Sequence, residues 1–109
     1  IMLKWSENLI VGDTLRTRKD GIIDRINAKK PVYSVYLLTL PSGSEGQLDI
    51  ISAYFLVQDR IREMTPEILG IFGNRKEALG EITRLTSECY TRNGNVDLQQ
   101  YLRDLNVLQ

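Results

Sequence analysis

With 109 residues, 42% of them hydrophobic and 26% charged, the chain has the size and composition of one folded soluble domain and not of a disordered segment. Fourteen basic and fourteen acidic residues give a formal net charge of zero, which argues against whole-molecule attraction to nucleic acid or an anionic membrane. There is no histidine and only one cysteine, which removes Ser-His and Cys-His nucleophile pairs, imidazole acid–base chemistry, His- or thiolate-based zinc sites and iron–sulfur clusters within one chain.

A single cysteine, Cys89, forms no intrachain disulfide and fits a reducing compartment, most simply the cytoplasm. No apolar run approaches the roughly 20 residues needed to span a bilayer. Residues 1–12 are too short and too interrupted for a signal peptide. Residue 1 is Ile, so either Met2 is the natural start or the chain is a fragment.

Residues 1–12 hold Trp5 and the apolar trio Leu9, Ile10 and Val11, and read as an N-terminal arm ending at Gly12. Asp13 is placed to cap a helix over about residues 14–29. Leu15, Ile22, Ile23 and Ile26 fall on one face of it, and Pro31 stops it. Arg16, Arg18, Lys19, Arg25, Lys29 and Lys30 on its polar side outnumber Asp13, Asp20 and Asp24 by three.

Val32 to Leu40 is the strongest strand signal, nearly free of charge and apolar on both faces, so it is expected to be central. Pro41 to Gly46 is a turn by composition, with a mobile tip, and Gln47 to Ser52 is the returning strand. Beyond Ser52, the residues Ala53, Leu56, Val57, Ile61 and Met64 fit a short helix over about 53–63, capped by Ser52. Alternatively, the strand continues through Val57, because Tyr54, Phe55 and Val57 favour strand.

Ile68 to Phe72 reads as a third strand. Asn74 with Glu77 three residues on has the form of a capping box opening a helix that ends near Arg92, with Gly94 as its left-handed cap. Asp97 then caps a last helix with Leu98, Tyr101, Leu102 and Leu105 on one stripe. The element order predicts one two-layer α+β domain: a small, mainly antiparallel three-stranded sheet with helices on one face. The position of strand 68–72, beside 32–40 or beside 47–52, stays open.

The segments VYLLTLPS, LDIISAYFLVQ, ILGIFGNRKEAL and ECYTRNGNVDLQQYL resemble those of a group of small bacterial proteins of about this length. The likeness covers most of residues 13–102. It rests on a Leu-Pro-Ser turn, an Asp-Ile-Ile-Ser segment, a strand entering a helix through Gly, and a Tyr…Gly…Asp…Tyr-Leu tail. The group has no assigned activity, so the resemblance implies no site residues.

Each candidate chemistry stands beside a structural role for the same residues. The turn Gly73-Asn74-Arg75-Lys76, at a helix N-terminus, suits an anion, yet it lacks the spacing of either phosphate-binding glycine motif. The basic residues Arg16, Arg18, Lys19, Arg25, Lys29 and Lys30 would neutralise phosphates of a nucleic acid, although no nucleic-acid-binding motif accompanies them. Cys89 lies on an apolar stripe with no histidine to activate it. The carboxylates Glu45, Asp49, Glu63 and Glu67 read as loop and cap charges, and Tyr33, Tyr36 and Tyr54 as core or sheet-surface residues. No cofactor or metal is implied.

The leading expectation is therefore a non-catalytic cytosolic binding protein that self-associates or meets a protein partner, with no membrane contact. A sheet covered on one face leaves its other face to a partner. The contact residues expected there are Tyr33, Val35 and Leu37, supported by Tyr101 and Leu102. The alternative is a nucleic-acid-associated factor using the basic helix face.

Overall fold

The computed structural model of the chain describes residues 2–41 and 46–109. The expected turn tip and Glu45 lie outside the described residues. The overall class is α+β, but the sheet has four strands and is mixed, in the order β1-β4-β2-β3. Here β1 is Trp5–Val11, β2 Tyr36–Thr39, β3 Asp49–Ser52 and β4 Ile68–Phe72. The helices are α1 Lys19–Asn27, α2 Asp59–Met64, α3 Arg75–Asn93 and α4 Leu98–Asp104, with 3₁₀ turns at Asp13–Leu15 and Ala53–Val57.

The expected N-terminal arm is instead the edge strand β1, which runs parallel to β4. Leu9, Ile10 and Val11 are half-buried rather than exposed because β1 lies against an inner strand. Strand β4 pairs antiparallel with β2 on its other side, and β2 pairs antiparallel with β3. This settles the open strand order: 68–72 lies beside 36–39 and not beside 49–52.

Every residue of β4 is buried, and a bulge explains how. Leu38 faces Gly70 while Thr39 faces Ile68, so Leu69 is an extra residue on β4. Ile68 and Ile71 thereby enter one core, while Leu69 and Phe72 enter the other. Gly70 permits the tight packing here. A Cβ at this position would stand 2.9 Å from the Phe72 ring and 3.2 Å from the Ile10 carbonyl oxygen.

The sheet is covered on both faces, which corrects the expected two-layer arrangement. Successive residues of a strand point to opposite sides, and Leu37 and Leu38 are both fully buried. Leu38 packs with Ala78, Leu85 and Cys89 of α3 and with Leu98, Tyr101 and Leu102 of α4. Leu37 packs with Leu15, with Ile26 of α1, and with Ala53 and Leu56 of the second 3₁₀ turn. The chain itself supplies the second layer because the segments before β2 and after β3 both fold back onto the same face.

The helix expected over 14–29 is divided. Leu15 is buried within the 3₁₀ turn, and α1 begins only at Lys19. Its end is set by Lys29 in the left-handed conformation (φ 61°) before Pro31 is reached. Lys30 N–H donates to the Arg25 carbonyl and Lys29 N–H to the Ile26 carbonyl, the paired bonds of a Schellman ending. The expected start of β2 at Val32 is likewise displaced to Tyr36, because Ser34 has φ 59° and breaks the extended run.

The segment after Ser52 holds two short helices. The Ser52 hydroxyl accepts from Tyr54 N–H as a cap, and Gln58 returns to extended backbone before α2. The long helix forms with its expected signals. Asn74 Oδ1 accepts from Glu77 N–H at 2.7 Å, and Gly94 closes the helix at φ 72° with its N–H donating to the Tyr90 carbonyl. Asp97 caps α4 by accepting from Gln100 N–H at 3.1 Å.

Helices α3 and α4 are also joined by the Tyr101 hydroxyl, which donates to the Glu88 carboxylate. That bond, aided by the charge of Arg84 and opposed by partial desolvation, holds the Glu88 carboxyl below its ordinary range. The same bond pushes the Tyr101 phenol up. A depressed carboxyl contributes stability above its unfolded value, about 4.3, and loses it as pH falls through the folded one. Between pH 7 and pH 3 the native chain is therefore expected to lose more stability in urea unfolding than Glu88→Gln does. Identical losses in the two proteins would contradict this role for Glu88.

Candidate functional site

The clearest exposed feature is an apolar strip that starts beside β2 and follows the second 3₁₀ turn. Tyr33 is 70% exposed and stacks on Tyr54 with ring centroids 5.1 Å apart. Tyr54 meets Phe55 edge to face at 6.0 Å. Phe55, 51% exposed, then forms the wall of a groove of about 220 Å³ with Thr39, Ile51, Ile61, Met64 and Pro66. Met64 is itself 59% exposed.

Local geometry puts these rings outside. A 3₁₀ turn brings residues three apart onto one side. Ala53 and Leu56 take the inner side and are buried, which leaves Tyr54 and Phe55 on the outer one. The hydrogen-bonding edge of neighbouring β3 is partly closed by its own side chain, since Asp49 Oδ1 accepts from Ile50 N–H at 2.9 Å. Short strands and capped N–H groups discourage strand addition. This surface therefore offers side chains more than backbone.

Of the five expected contact residues, Tyr33 alone lies on this strip. Val35 and Leu37 are buried in the core on the α1 side, and Tyr101 and Leu102 in the core on the α3 side. The structure thus separates the two groups by the thickness of the sheet and removes all four from the surface of the folded chain. Their apolar character belongs to core packing. Tyr54, Phe55 and Met64 take their place, and the period of three after the Ser52 cap is the sequence signal that marks the first two as outward.

Four of the six candidate basic residues before β2 have partners in the chain itself. Arg16 pairs with Asp13 at 2.6 Å, Lys19 with Asp20 at 3.5 Å, and Lys29 with Asp59. The pairing with Lys29, by hydrogen bond and charge, holds the Asp59 carboxyl below its ordinary value. Arg25 donates to the Pro31 carbonyl at 3.1 Å. Because the expected helix is split, Arg16 and Arg18 lie outside α1, as do Lys29 and Lys30 beyond its end. The six residues do not form one helical stripe.

The turn expected to hold an anion holds a carboxylate of the chain itself. Gly73 N–H donates to Glu77 Oε1 at 2.9 Å, and the Thr14 hydroxyl donates to the same oxygen at 3.0 Å. Thr14 N–H reaches Oε2 at 3.4 Å. Asn74 is occupied with its cap, while Arg75 and Lys76 are exposed. Glu77 thereby clasps the turn after β1 to the turn after β4. The expected return of Glu77 to the Asn74 N–H is shifted by one residue, onto Gly73.

Cys89 is buried between α3 and α4, with Sγ 3.7 Å from Asn95 Oδ1 and from the Asp97 carbonyl oxygen. Among the described residues no group of three or more Asp, Glu or Cys side chains is placed to hold a metal ion. No helix among them is long and apolar enough to cross a membrane. Comparison with family models, with curated proteins and with solved structures returns no match.

The clasp makes a specific demand on Gly12. A Cβ there would overlap the Glu77 carboxylate, which cannot withdraw without leaving Gly73 and Thr14. Gly12→Ala is expected to cost about 1–3 kcal/mol in chemical denaturation, the range of overpacking and lost charged hydrogen bonds. In a Glu77→Ala background most of that cost should vanish, because the obstructing carboxylate is gone. Additive costs in the double variant would show that Glu77 is not what the added methyl meets.

Proposed function

We propose that this protein is a non-catalytic binding protein that associates with a second copy of itself through the Tyr33–Tyr54–Phe55 strip and the adjoining groove. The observation that carries the reading is the continuity of the strip: each ring touches the next, and Phe55 leads into a groove that also exposes Met64. Single exposed apolar residues are ordinary on protein surfaces, whereas contiguous aromatic ones mark contact sites. Aromatic residues and Met are also enriched at the centres of protein interfaces.

A second copy fits this surface in charge and symmetry. The zero net charge sets no overall repulsion between copies. A two-fold arrangement applies the same patch to itself, which closes the assembly at two chains. Stacked rings at one end and a groove at the other give that patch both a projection and a recess. The absence of histidine and the burial of the only cysteine support a role in binding over one in catalysis, and a reducing compartment suits the free thiol.

Sedimentation velocity from micromolar to millimolar concentration tests the reading. The native chain is expected to move from monomer to dimer across that range. Phe55→Asp is expected to stay monomeric at every concentration, with a monomer stability within about 0.5 kcal/mol of the native chain because the side chain is exposed. A native chain that remains monomeric throughout, or a Phe55→Asp variant that dimerises equally well, contradicts it.

A further inference from the structure

Arg62 lies at the junction of α1, α2 and the N-terminal end of β1, and only 4% of it is exposed. Its Nη1 donates to the carbonyls of Ile26 and Leu56, at 2.8 and 2.9 Å, and Nη2 donates to the Asn27 carbonyl at 3.3 Å. A guanidinium has five N–H donors. Among the described residues three are used, Nε–H has no partner, and one proton of Nη2 remains.

The guanidinium is a planar cation. Carbonyls at the end of α1 lend it partial negative charge, as a helix C-terminus does for a cation. No described carboxylate is within ion-pair distance of Arg62, and Asp59 nearby is paired with Lys29. A buried cation without a counter-ion is costly.

Arg62 also lines a cavity of about 270 Å³, together with Met2, Leu3, Trp5 and Asn27. The Trp5 ring is fixed in place by its indole N–H, which donates to Asn27 Oδ1 at 2.9 Å. The cavity thus joins apolar walls to one buried, incompletely satisfied cation. Pockets that bind small molecules have this make-up: mostly apolar, with a few placed polar groups.

We propose that this cavity binds a small carboxylate carrying a short apolar body. The carboxylate pairs with the Arg62 side chain at the cavity wall, where a charge-assisted hydrogen bond supplies the counter-ion that the guanidinium lacks. The apolar body lies against Trp5 and Leu3. A free short-chain acid and the C-terminus of a peptide share this chemistry, and the two sources are separable by experiment.

Trp5 is the only tryptophan in the chain, so its fluorescence reports this cavity directly. The full chain is titrated at constant ionic strength with hexanoate, with hexanamide, and with acetyl-leucine as a peptide-end mimic. Hexanoate or acetyl-leucine should produce a saturable change, with hexanamide at least about tenfold weaker, because the amide lacks the charge that Arg62 requires. Saturation by acetyl-leucine alone assigns the carboxylate to a peptide end; saturation by hexanoate, a free acid. Arg62→Lys should weaken binding by a similar factor, since an ammonium does not reproduce the planar donor geometry of the guanidinium. The comparison of acid with amide on the unaltered chain does not depend on that variant folding. Equal saturable responses to hexanoate and hexanamide, or no saturable response to either acid, would leave Arg62 with only its role at the end of α1 and overturn the proposal.

Discussion

The burial of β4 from both sides is the constraint on which the rest of the fold depends. A strand flanked by β1 and β2, with apolar side chains leaving both of its faces, requires a complete layer above and another below. The bulge at Leu69 divides those side chains between the two cores. Helices α3 and α4 form one layer. The other is assembled from shorter pieces: a 3₁₀ turn, α1, a second 3₁₀ turn and α2.

That asymmetry locates the surface features. A long helix covers a sheet face continuously, whereas short segments meet at junctions. One junction exposes Tyr54 and Phe55 beside Tyr33 and leaves the groove at Met64. Another encloses Arg62, which ties α1 to the segment carrying α2 through carbonyls at Ile26, Asn27 and Leu56. On the opposite face the tail after α4 returns to β1, where the Asn8 amide donates to the Asn106 carbonyl at 2.8 Å. The Glu77 clasp joins the two strand-to-helix turns at the far end of β1 and β4.

Much of this was legible in the sequence where one local rule decides. Ser52, Asn74, Gly94 and Asp97 each cap or end a helix as their residue types predict, and β4 lies where the apolar run places it. Other features depend on distant partners. Trp5–Val11 has no clean alternation, and its identity as a strand comes from pairing with β4, some sixty positions on. The division of the expected helix 14–29 reflects the burial of Leu15 and the hold of Glu77 on Thr14. The two-sided apolar character of residues 32–40 correctly marks a central strand, but it does not say whether a partner or the chain covers the second face. For that reason Val35 and Leu37 read in sequence as a contact surface. Arg62 gave no sequence signal at all, because its role arises only where three segments meet.

Hydrogen exchange under native conditions tests the two-sided burial most directly. The backbone amides of Leu37, Leu38, Ile71 and Phe72 should exchange only through global unfolding, with a denaturant dependence equal to that of the whole domain. Amides of the edge strand β3 and of α2 should open at lower free energy. Exchange of the β2 and β4 amides as fast as those of β3 and α2 would contradict a sheet whose central pair is sealed on both faces by its own chain.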